Sequence, residues 1–431
     1  MKTAAFYTLG CKVNQYETEA ISEMFCNDGF FVVPFGEKAD YYIINTCSVT
    51  SMSDRKSRQM IRRAKKLNPD AVIAVMGCYS QTAPDEVLDI DGVNLVLGTK
   101  DKGSVLNLIK TLDKTDKLNA VTDIRDNHEY ENLTVAKAAG RTRAYIKIQD
   151  GCSQFCSYCI IPYARGPVRS RCESEISDEV KTLAEAGYKE VILTGIHAAS
   201  YGSDLGNTSL GELLNKIDNI DGIQRVRLSS IEPMTLNHEF VKKIKNCKKL
   251  CPHFHISLQA GCDSTLKRMN RHYTTAQFKK IVNGLREAFP DCAVTTDIMT
   301  GFPGETDDEF KQTVEFVKNI AFADAHVFQY SQRRGTPAAR KPDQVPPEIK
   351  EQRSKTIADI TRQSRDEFLA HHIGKETKVL FETRTDNGLY EGKTANYITV
   401  HASSPIDVCG QLKKVLLENT KNGIVFGKTI D

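Results

Sequence analysis

The stretch Asp150-Gly151-Cys152-Ser153-Gln154-Phe155-Cys156-Ser157-Tyr158-Cys159 decides how the rest of the chain is interpreted, because it holds three thiols within ten residues. It follows an apolar segment, residues 144–149, that is predicted to be a β-strand. Loops at the carboxyl ends of strands are where parallel α/β barrels form their active sites. The C-x-x-x-C-x-x-C spacing therefore predicts a metal centre on such a loop.

Two kinds of metal centre could use this loop. Structural zinc is closed by four protein ligands, typically from two paired C-x-x-C units, and no second pair lies nearby in the sequence. A [4Fe–4S] cluster has four irons, so three cysteines leave one iron open to hold a small molecule. The loop favours the iron–sulfur cluster, with zinc as the alternative.

Outward from the loop, residues 144–330 alternate between short apolar segments and amphipathic segments, as strand–helix units do. The predicted strands are residues 144–149, 190–194, 225–229, 253–258, 293–299 and 325–330. The predicted helices are residues 176–187, 210–217, 238–250, 275–289 and 307–320. Six units are fewer than the eight of a closed barrel, so the α/β pattern predicts a partial, open one.

The first hundred residues repeat a different unit, in which an apolar segment ends at a cysteine. Predicted strands at residues 3–10, 41–46 and 71–77 lead into Cys11, Cys47 and Cys78, and amphipathic segments follow each. Ligands of parallel sheets bind outside the carboxyl ends of the strands. We therefore expect the three cysteines to share a site, although a small buried thiol at each strand end is the alternative.

The remaining segments differ in pattern. Residues 115–141 lack a regular period, and 136–140 are small residues, which predicts a linker. A charged helix is predicted from Pro346-Pro347 to about His372. Residues 372–431 alternate instead, with predicted strands at 377–383, 396–400, 407–410 and 423–426. They predict a small five-stranded β-barrel.

The composition excludes several classes of protein. The 431 residues include 58 Lys and Arg against 55 Asp and Glu, a net charge of +3, and 40% are hydrophobic. These values are ordinary for a globular protein, and no apolar run approaches the ~18 residues of a membrane span. Without an export signal, the thirteen cysteines are expected in the reducing cytoplasm, where clustered thiols often bind metals.

With the upstream cysteines and the downstream β-barrel, the cysteine loop resembles the radical S-adenosylmethionine (radical SAM) methylthiotransferases over the whole chain. The resemblance implies an N-terminal cluster domain at residues 1–114, a linker at 115–141, a radical SAM core with its C-terminal helix at 142–371, and a TRAM barrel at 372–431. It implies [4Fe–4S] ligands at Cys11, Cys47, Cys78, Cys152, Cys156 and Cys159. Residues 8–18, TLGCKVNQYET, are most similar to the branch that modifies N6-threonylcarbamoyladenosine in tRNA.

The resemblance also implies the reaction. One S-adenosylmethionine at the barrel cluster would supply a 5′-deoxyadenosyl radical, which takes the hydrogen from C2 of the adenine. A second would supply the methyl group to a sulfur carried by the N-terminal cluster. The implied partners are the tRNA anticodon stem-loop, an electron donor such as flavodoxin or ferredoxin, and a sulfur source, with no membrane.

Three alternative functions are weighed against this one. The same chemistry on isopentenyladenosine in tRNA, or on a ribosomal-protein side chain, would fit the clusters equally well. A non-enzymatic iron–sulfur protein that binds RNA would leave the barrel unexplained. The residues after Gly10-Cys11 and the basic loops favour threonylcarbamoyladenosine at position 37.

Other strand ends are predicted to shape the S-adenosylmethionine site. The candidate residues are Thr194, Gly195, Glu232, Gln259 and Gly301. Glycines permit close backbone approach, and Glu232 or Gln259 could bind hydroxyls or the amino acid moiety. Turn formation alone is the alternative for each. The pair His253 and His255 is interpreted as core or pocket lining.

Basic residues predict an RNA surface. Arg165, Arg169 and Arg171 follow the cysteine loop directly and are predicted to contact phosphates. Residues 52–66 carry seven Lys and Arg against one acid, and residues 332–341 add four more basic residues. A solvated helix face is the alternative for residues 52–66. The other seven cysteines are predicted to be small buried side chains.

Overall fold

The computed structural model describes residues 2–135 and 142–430. Residues 136–141, at the end of the predicted linker, lie outside the described residues. Within the described part, no helix is long and apolar enough to cross a membrane.

The N-terminal part is a six-stranded parallel sheet in the order β2-β1-β3-β4-β5-β6. Its strands are β1 Thr3–Thr8, β2 Phe31–Val33, β3 Tyr41–Thr46, β4 Val72–Gly77, β5 Val93–Val96 and β6 Leu118–Asn119. Its helices are α1 Lys12–Asn27, α2 Ser51–Leu67, α3 Cys78–Thr82, α4 Pro84–Leu88 and α5 Val105–Thr111. Every residue of β3 and β4 is buried, as expected of a parallel sheet covered on both faces.

The central part is the partial barrel that the alternation predicts. Its strands are β7 Arg143–Asp150, β8 Arg169–Ser170, β9 Glu190–Gly195, β10 Arg225–Leu228, β11 His253–His255, β12 Ala293–Thr300 and β13 Asp324–Gln329. Its helices are α6 Ile161–Arg165, α7 Glu173–Glu185, α8 Leu210–Asp218, α9 His238–Ile244, α10 Asp263–Arg268, α11 Thr275–Ala288 and α12 Asp307–Ile320.

Six of these strands are parallel and follow one another around the barrel in chain order. They form a four-stranded sheet, β10-β9-β7-β8, and a three-stranded sheet, β11-β12-β13, joined by parallel bridges that include Val226↔Leu250 and Ile231↔Ile256. The short β8 pairs antiparallel with β7. The barrel is therefore open, with β13 at one edge, which confirms the predicted fold.

The C-terminal part begins with α13, Pro347–Ala370, and ends in a closed five-stranded barrel ordered β14-β15-β16-β18-β17. Its strands are β14 Glu376–Arg384, β15 Tyr390–Thr394, β16 Thr399–Ser403, β17 Leu412–Lys421 and β18 Ile424–Thr429. The five-stranded barrel is confirmed.

Two predicted elements differ most from the structure. The strand at residues 407–410 is wrong, because Cys409 N–H donates to Asp407 Oδ1 (3.0 Å) and Gly410 has a φ of +76°, which turns the chain. The helix at residues 238–250 ends at Ile244, because the backbone N–H groups of Lys248 and Lys249 donate to the Asp218 carboxylate instead.

The C-terminal barrel is fixed against β10 and β11. Arg225 donates to the carbonyl oxygens of Lys378 (2.6 Å) and Lys393 (2.9 Å). Arg227 likewise donates to backbone carbonyls of the turn after β15. Tyr397 stacks on His253 with ring centroids 4.6 Å apart and an interplanar angle of 6°. Charge-assisted bonds to carbonyls and a stacked ring hold the two barrels in one orientation.

Candidate functional site

The three N-terminal cysteines follow β1, β3 and β4, which are adjacent strands of the sheet. Gly10 brings the loop before Cys11 against Cys47, since a Cβ there would lie 2.9 Å from Cys47 Cβ and 3.2 Å from its Sγ. Its φ of +115° also favours glycine. Burial raises the pKa of Cys78 to about 11, against the effect of Arg165, and the charges of Cys47 and Cys11 raise it further. The fold thus brings the three thiols together.

A buried arginine from the barrel completes this edge of the sheet. The Nε of Arg165 donates to Cys78 Sγ at 3.4 Å, and the residue has no exposed surface. Its Nη1 donates to Glu17 Oε1 (2.8 Å) and to Asp150 Oδ1 (3.1 Å). Asp150 is two residues before Cys152. Arg165 therefore connects the N-terminal thiols with the strand that leads into the cysteine loop.

Two lysines complete this buried ionic network. Lys147 Nζ lies 2.9 Å from Glu17 Oε1 and 2.6 Å from Asp150 Oδ2, and Lys102 Nζ lies 3.0 Å from Glu17 Oε1. Burial alone would raise the pKa of Glu17, but Arg165, Lys102 and Lys147 hold it below its usual range. Both carboxylates are thus ionised and paired across the contact between sheet and barrel.

Backbone hydrogen bonds hold the cysteine loop after β7, both within the loop and to Gly166 and Met269. Cys152 N–H donates to Gly166 O (3.0 Å), and Cys159 N–H donates to Cys156 O (2.9 Å). Gly151 has a φ of +75°, and a Cβ there would lie 1.8 Å from Pro167 O, so only glycine fits. Cys156 is buried, while Cys152 and Cys159 are partly exposed.

The thiols of this loop also have shifted acidities. Burial raises the pKa of Cys152 to about 11 and that of Cys159 to about 12. Ligation requires thiolates, so cluster assembly on these cysteines releases protons. Among residues 2–135 and 142–430, no three His, Cys, Asp or Glu side chains converge on a single ion. In a four-iron cluster each cysteine binds a separate iron, so its ligands do not need to converge.

Arg271 donates to a cysteine of this loop, as Arg165 donates to Cys78 among the N-terminal cysteines. Its Nη1 donates to Cys156 Sγ at 3.4 Å, and its Nη2 donates to Glu232 Oε2 (2.8 Å) and to Ser257 O (3.0 Å). Glu232, a predicted S-adenosylmethionine residue, therefore lies beside the cysteine loop.

The carboxyl end of β9 and the segment after β11 present polar atoms that lack partners. His197 Nε2 and Gln259 Oε1 are buried, and no described group hydrogen-bonds to them. Thr194 and Gly195 end β9 in the same region. Buried polar atoms are rarely left unpaired in native proteins. Three thiols with orphaned polar atoms beside them fit a [4Fe–4S] cluster whose open iron holds a polar molecule such as S-adenosylmethionine.

Gly301 is placed differently from the other S-adenosylmethionine candidates. A Cβ at this position would lie 2.3 Å from Lys350 Cγ of α13, and the φ is +68°. Its N–H donates to Glu305 Oε1 at 3.2 Å. These contacts support the alternative, in which the glycine serves the packing of a turn against α13.

The structure contradicts the predicted phosphate contacts of Arg165, Arg169 and Arg171. All three are buried, at 0%, 2% and 1% exposure. Arg169 donates to the carbonyls of Arg165 (2.8 Å) and Pro167 (2.9 Å), and Arg171 is ion-paired with Glu179. Guanidinium groups with internal partners and no exposed surface cannot reach a phosphate in this conformation.

The sequence pattern did not predict the exposed aromatic side chains around the cysteine loop. Phe155 is 50% and Tyr163 is 45% exposed, and their rings meet edge to face at 5.7 Å. They lie on the loop and on α6. Aromatic side chains inside the cysteine motif, next to polar residues, are the signal that could have identified them.

The segment 331–340 contacts both the residues after Cys47 and the cysteine loop of the barrel. Arg333 is ion-paired with Asp54 and donates to Ser48 Oγ (2.5 Å), close after Cys47. Ala338 N–H donates to Ser157 O (2.8 Å) in the barrel loop. The exposed cations of this region are Arg55, Lys56, Arg334 and Arg340.

The seven other cysteines divide into two groups. Cys247, Cys251, Cys262 and Cys292 are buried, as predicted. Cys26, Cys172 and Cys409 are exposed, so the prediction is wrong for them, because they lie near a helix end, at a helix N-cap and in a turn. His253 and His255 both line a cavity, which confirms their interpretation.

Two families match separate parts of the chain. The Radical SAM superfamily matches residues 146–317, and the family described as "Uncharacterized protein family UPF0004" matches residues 3–98. Among solved structures, the radical SAM methyltransferase TsrM from Kitasatospora setae has a TM-score of 0.57 at 15% identity, covering 78% of this chain and 74% of TsrM. At that identity the likeness shows the fold alone.

Relatives with assigned activities match nearly the whole chain. The threonylcarbamoyladenosine tRNA methylthiotransferase MtaB of Bacillus subtilis is 42% identical over 96% of this chain and 93% of its own length. MtaB of Thermotoga maritima is 40% identical over 92% and 91%. The tRNA-2-methylthio-N(6)-dimethylallyladenosine synthase of Acetivibrio thermocellus is 33% identical over 98% and 90%. Such identity over such coverage leaves no large segment unmatched, and the chain belongs to the radical SAM tRNA methylthiotransferase family.

Proposed function

We propose that this protein converts N6-threonylcarbamoyladenosine at position 37 of tRNA to its 2-methylthio form, using two molecules of S-adenosylmethionine. The observation that carries the proposal is the pair of three-cysteine sets joined through Arg165, in a chain 38–42% identical to relatives named for this activity. Relatives named for dimethylallyladenosine are 33% identical, so that alternative is weaker. We place the protein in the cytoplasm, where tRNA is available.

Each part of the chain has a proposed task. Residues 1–114 hold one [4Fe–4S] cluster on Cys11, Cys47 and Cys78, and residues 142–371 hold the other on Cys152, Cys156 and Cys159. Residues 115–141 link the two parts, and residues 372–431 form a TRAM barrel that holds the stem of the tRNA. When bound, the clusters and S-adenosylmethionine supply the radical and the sulfur chemistry, and an electron donor such as flavodoxin or ferredoxin and a sulfur source complete the reaction.

The chain's own residues bind and orient the cosubstrate. Glu232, held by Arg271 beside Cys156, is suited to hydroxyl groups or to an ammonium group. The orphaned atoms of His197 and Gln259 supply further hydrogen bonds at the same strand ends. The buried walls keep water away from a reactive intermediate.

The exposed groups between the two cysteine loops form the proposed RNA surface, defined as Arg55, Lys56, Phe155, Tyr163, Arg334 and Arg340. Cations position a nucleic acid through its phosphates, and exposed aromatic rings stack on unpaired bases. Position 37 lies in a single-stranded loop, so its base can leave the stack without opening a duplex.

The test of the function is mass spectrometry of tRNA nucleosides from cells with and without the gene. We expect the 2-methylthio form of threonylcarbamoyladenosine to disappear and the unmethylthiolated form to accumulate. Purified protein should then act on an anticodon stem-loop with threonylcarbamoyladenosine in preference to isopentenyladenosine or adenosine. Preference for isopentenyladenosine, or action on a ribosomal protein alone, would refute the proposal.

The test of the RNA surface compares two charge reversals. Each phosphate contact contributes about 0.7 to 0.9 to the slope of log affinity against log salt. Arg334→Glu with Arg340→Glu, which removes two contacts, should reduce that slope by about 1.4 to 1.8. The matched control, Lys311→Glu with Lys318→Glu on the outer helix α12, should leave it unchanged. Equal effects of the two pairs would exclude this surface.

A further inference from the structure

A cavity of about 380 Å³ lies where the three parts of the chain meet, and the proposed tasks above do not use it. Strands β10 to β13 form its barrel wall, Tyr397 closes it from the C-terminal barrel, and Lys12 enters it from the start of α1. This volume is within the ~300–1,000 Å³ of small-molecule sites. The cavity is large enough for a base with a substituent.

Lys12 is a cation of this cavity that has no carboxylate partner among the described residues. No described carboxylate lies within ion-pair distance of its Nζ, and no described group hydrogen-bonds to it. The cavity's Arg227, by contrast, is paired with Glu190 at 2.8 Å. Asp297 on the opposite wall is engaged by His255 at 3.1 Å. A partly buried cation without a counterion is costly, so it indicates an anionic ligand.

Two further polar atoms of the cavity wall are also unpaired. His253 Nδ1 and Ser229 Oγ belong to side chains that are each 7% exposed, and no described group hydrogen-bonds to either atom. His253 Nε2 is already engaged by Thr295 Oγ1 at 3.0 Å. The ligand that fits carries a negative charge and several hydrogen-bonding groups. These atoms are independent of Lys12 and point to the same ligand chemistry.

We propose that this cavity receives the N6 substituent of the substrate base and that Lys12 Nζ binds its carboxylate. The proposal rests on the proposed function and adds the residue that selects the substrate. The threonylcarbamoyl group ends in a carboxylate and has amide and hydroxyl groups for His253 and Ser229. Lys12 directly follows Cys11, so a carboxylate on Lys12 holds the base beside the N-terminal cysteines.

The same arrangement explains how an isopentenyl base would be rejected. That substituent is apolar and would fill the cavity while leaving Lys12, His253 and Ser229 unpaired. A site built to pair with polar groups discriminates strongly against a ligand that lacks them. Selectivity here comes from the cost of unpaired protein groups as well as from the new ion pair.

The experiment uses matched anticodon stem-loops that carry threonylcarbamoyladenosine or its neutral threonine carboxamide. We expect wild-type protein to prefer the carboxylate by about 10- to 100-fold in kcat/KM, as for a charge-assisted hydrogen bond. Lys12→Gln should lose that preference by slowing the carboxylate substrate alone. Lys12→Arg, which keeps the charge, should retain most of it. If Lys12→Gln loses kcat/KM equally on both substrates, or loses none, the proposal is overturned.

A second measurement separates this inference from cluster assembly and from the proposed function. Because Lys12 is next to Cys11, the iron content of each variant is determined first. Reconstituted protein, without S-adenosylmethionine or reductant, is then titrated with the free nucleosides, and wild type should bind the carboxylate form at least about 10-fold more tightly than Lys12→Gln does. Equal affinities would overturn the inference. If wild-type holoenzyme modifies neither stem-loop, the proposed function itself fails.

Discussion

The two cysteine sets differ in how they are built. Cys152, Cys156 and Cys159 lie on one loop, and backbone hydrogen bonds within the loop and to other parts of the barrel fix it. Cys11, Cys47 and Cys78 are far apart in the sequence and meet because their strands are neighbours in the sheet. One set is a property of a local motif, whereas the other exists only when the sheet has formed.

The arginines beside the two sets show the same difference. Arg165 and Arg271 each donate to a cysteine Sγ at 3.4 Å. Arg271 is held by Glu232 and Ser257 O, all within the barrel. Arg165 is held by Glu17 of α1, in the N-terminal part, and by Asp150 of the barrel. The N-terminal site therefore depends on the packing of two parts of the chain, and the barrel site does not.

The largest expected effect separates the two sets by function. Cys156→Ala should reduce cleavage of S-adenosylmethionine, measured as 5′-deoxyadenosine, to background. Cys47→Ala should retain cleavage but yield no methylthiolated product, since the barrel set is intact. Either variant should bind about four irons instead of about eight after anaerobic reconstitution. Loss of cleavage in folded Cys47→Ala would show that the sets do not divide the work.

The next effect concerns stability. Arg165→Met should lower the free energy of unfolding by about 3–5 kcal/mol, because it leaves Glu17 and Asp150 buried with one cation fewer. Arg271→Met should lower it by about 1–3 kcal/mol, since the side chain of Glu232 keeps 12% exposure and can be partly solvated, unlike that of Glu17 at 0%. Denaturant unfolding of the cluster-free proteins measures both. A larger loss of stability for Arg271→Met than for Arg165→Met would contradict this comparison of the two sites.

The buried carboxylates of Glu17 and Asp150 make the stability of the protein depend on pH. Their neighbouring cations hold the pKa values of Glu17 and Asp150 below the usual range, against the opposing effect of burial. Their contribution to stability is therefore full above the unfolded pKa values of about 4 and is lost as the pH falls below them. We expect the melting temperature to drop steeply below about pH 4.5. Glu17→Gln, which cannot titrate, should show a shallower drop.

The smallest effect is expected at a cysteine outside both sets. Cys247→Ala should leave iron content, S-adenosylmethionine cleavage and methylthiolation unchanged. Its thiol donates only to Asn215 Oδ1 at 3.3 Å, and it is 9% exposed. The loss of stability should be about 1 kcal/mol or less. A change in iron content would mean that a third cysteine site had been missed.

The same contrast explains what could be predicted from the sequence. The cysteine loop is local, so its spacing alone indicated an iron–sulfur cluster. The N-terminal cysteines were predicted to share a site because each follows a predicted strand of one parallel sheet. Arg165 could not be interpreted correctly, since its partner Glu17 is 148 residues earlier in the chain. Charge is visible in a sequence, but the burial of a charge against a distant partner is not.

The C-terminal barrel gives a further example of this limit. Alternation predicted a five-stranded barrel, but β15 and β17 carry charged residues that obscure the pattern, and a turn at residues 407–410 was taken for a strand. The cavity around Lys12 was not predicted either. It forms only where three parts of the chain meet, and no single segment carries its pattern.

The segment that crosses between the cysteine loops has a consequence for synthesis on the ribosome. Asp54 and Ser48 find their partner, Arg333, only 279 and 285 residues later in the chain. Domains generally fold as they emerge, N-terminal ones first. The N-terminal sheet can form early, but Glu17 and Asp54 stay without their arginines until the barrel has been made. The part of this protein that is synthesised first is thus completed last, and its cysteines reach their final surroundings only in the full-length chain.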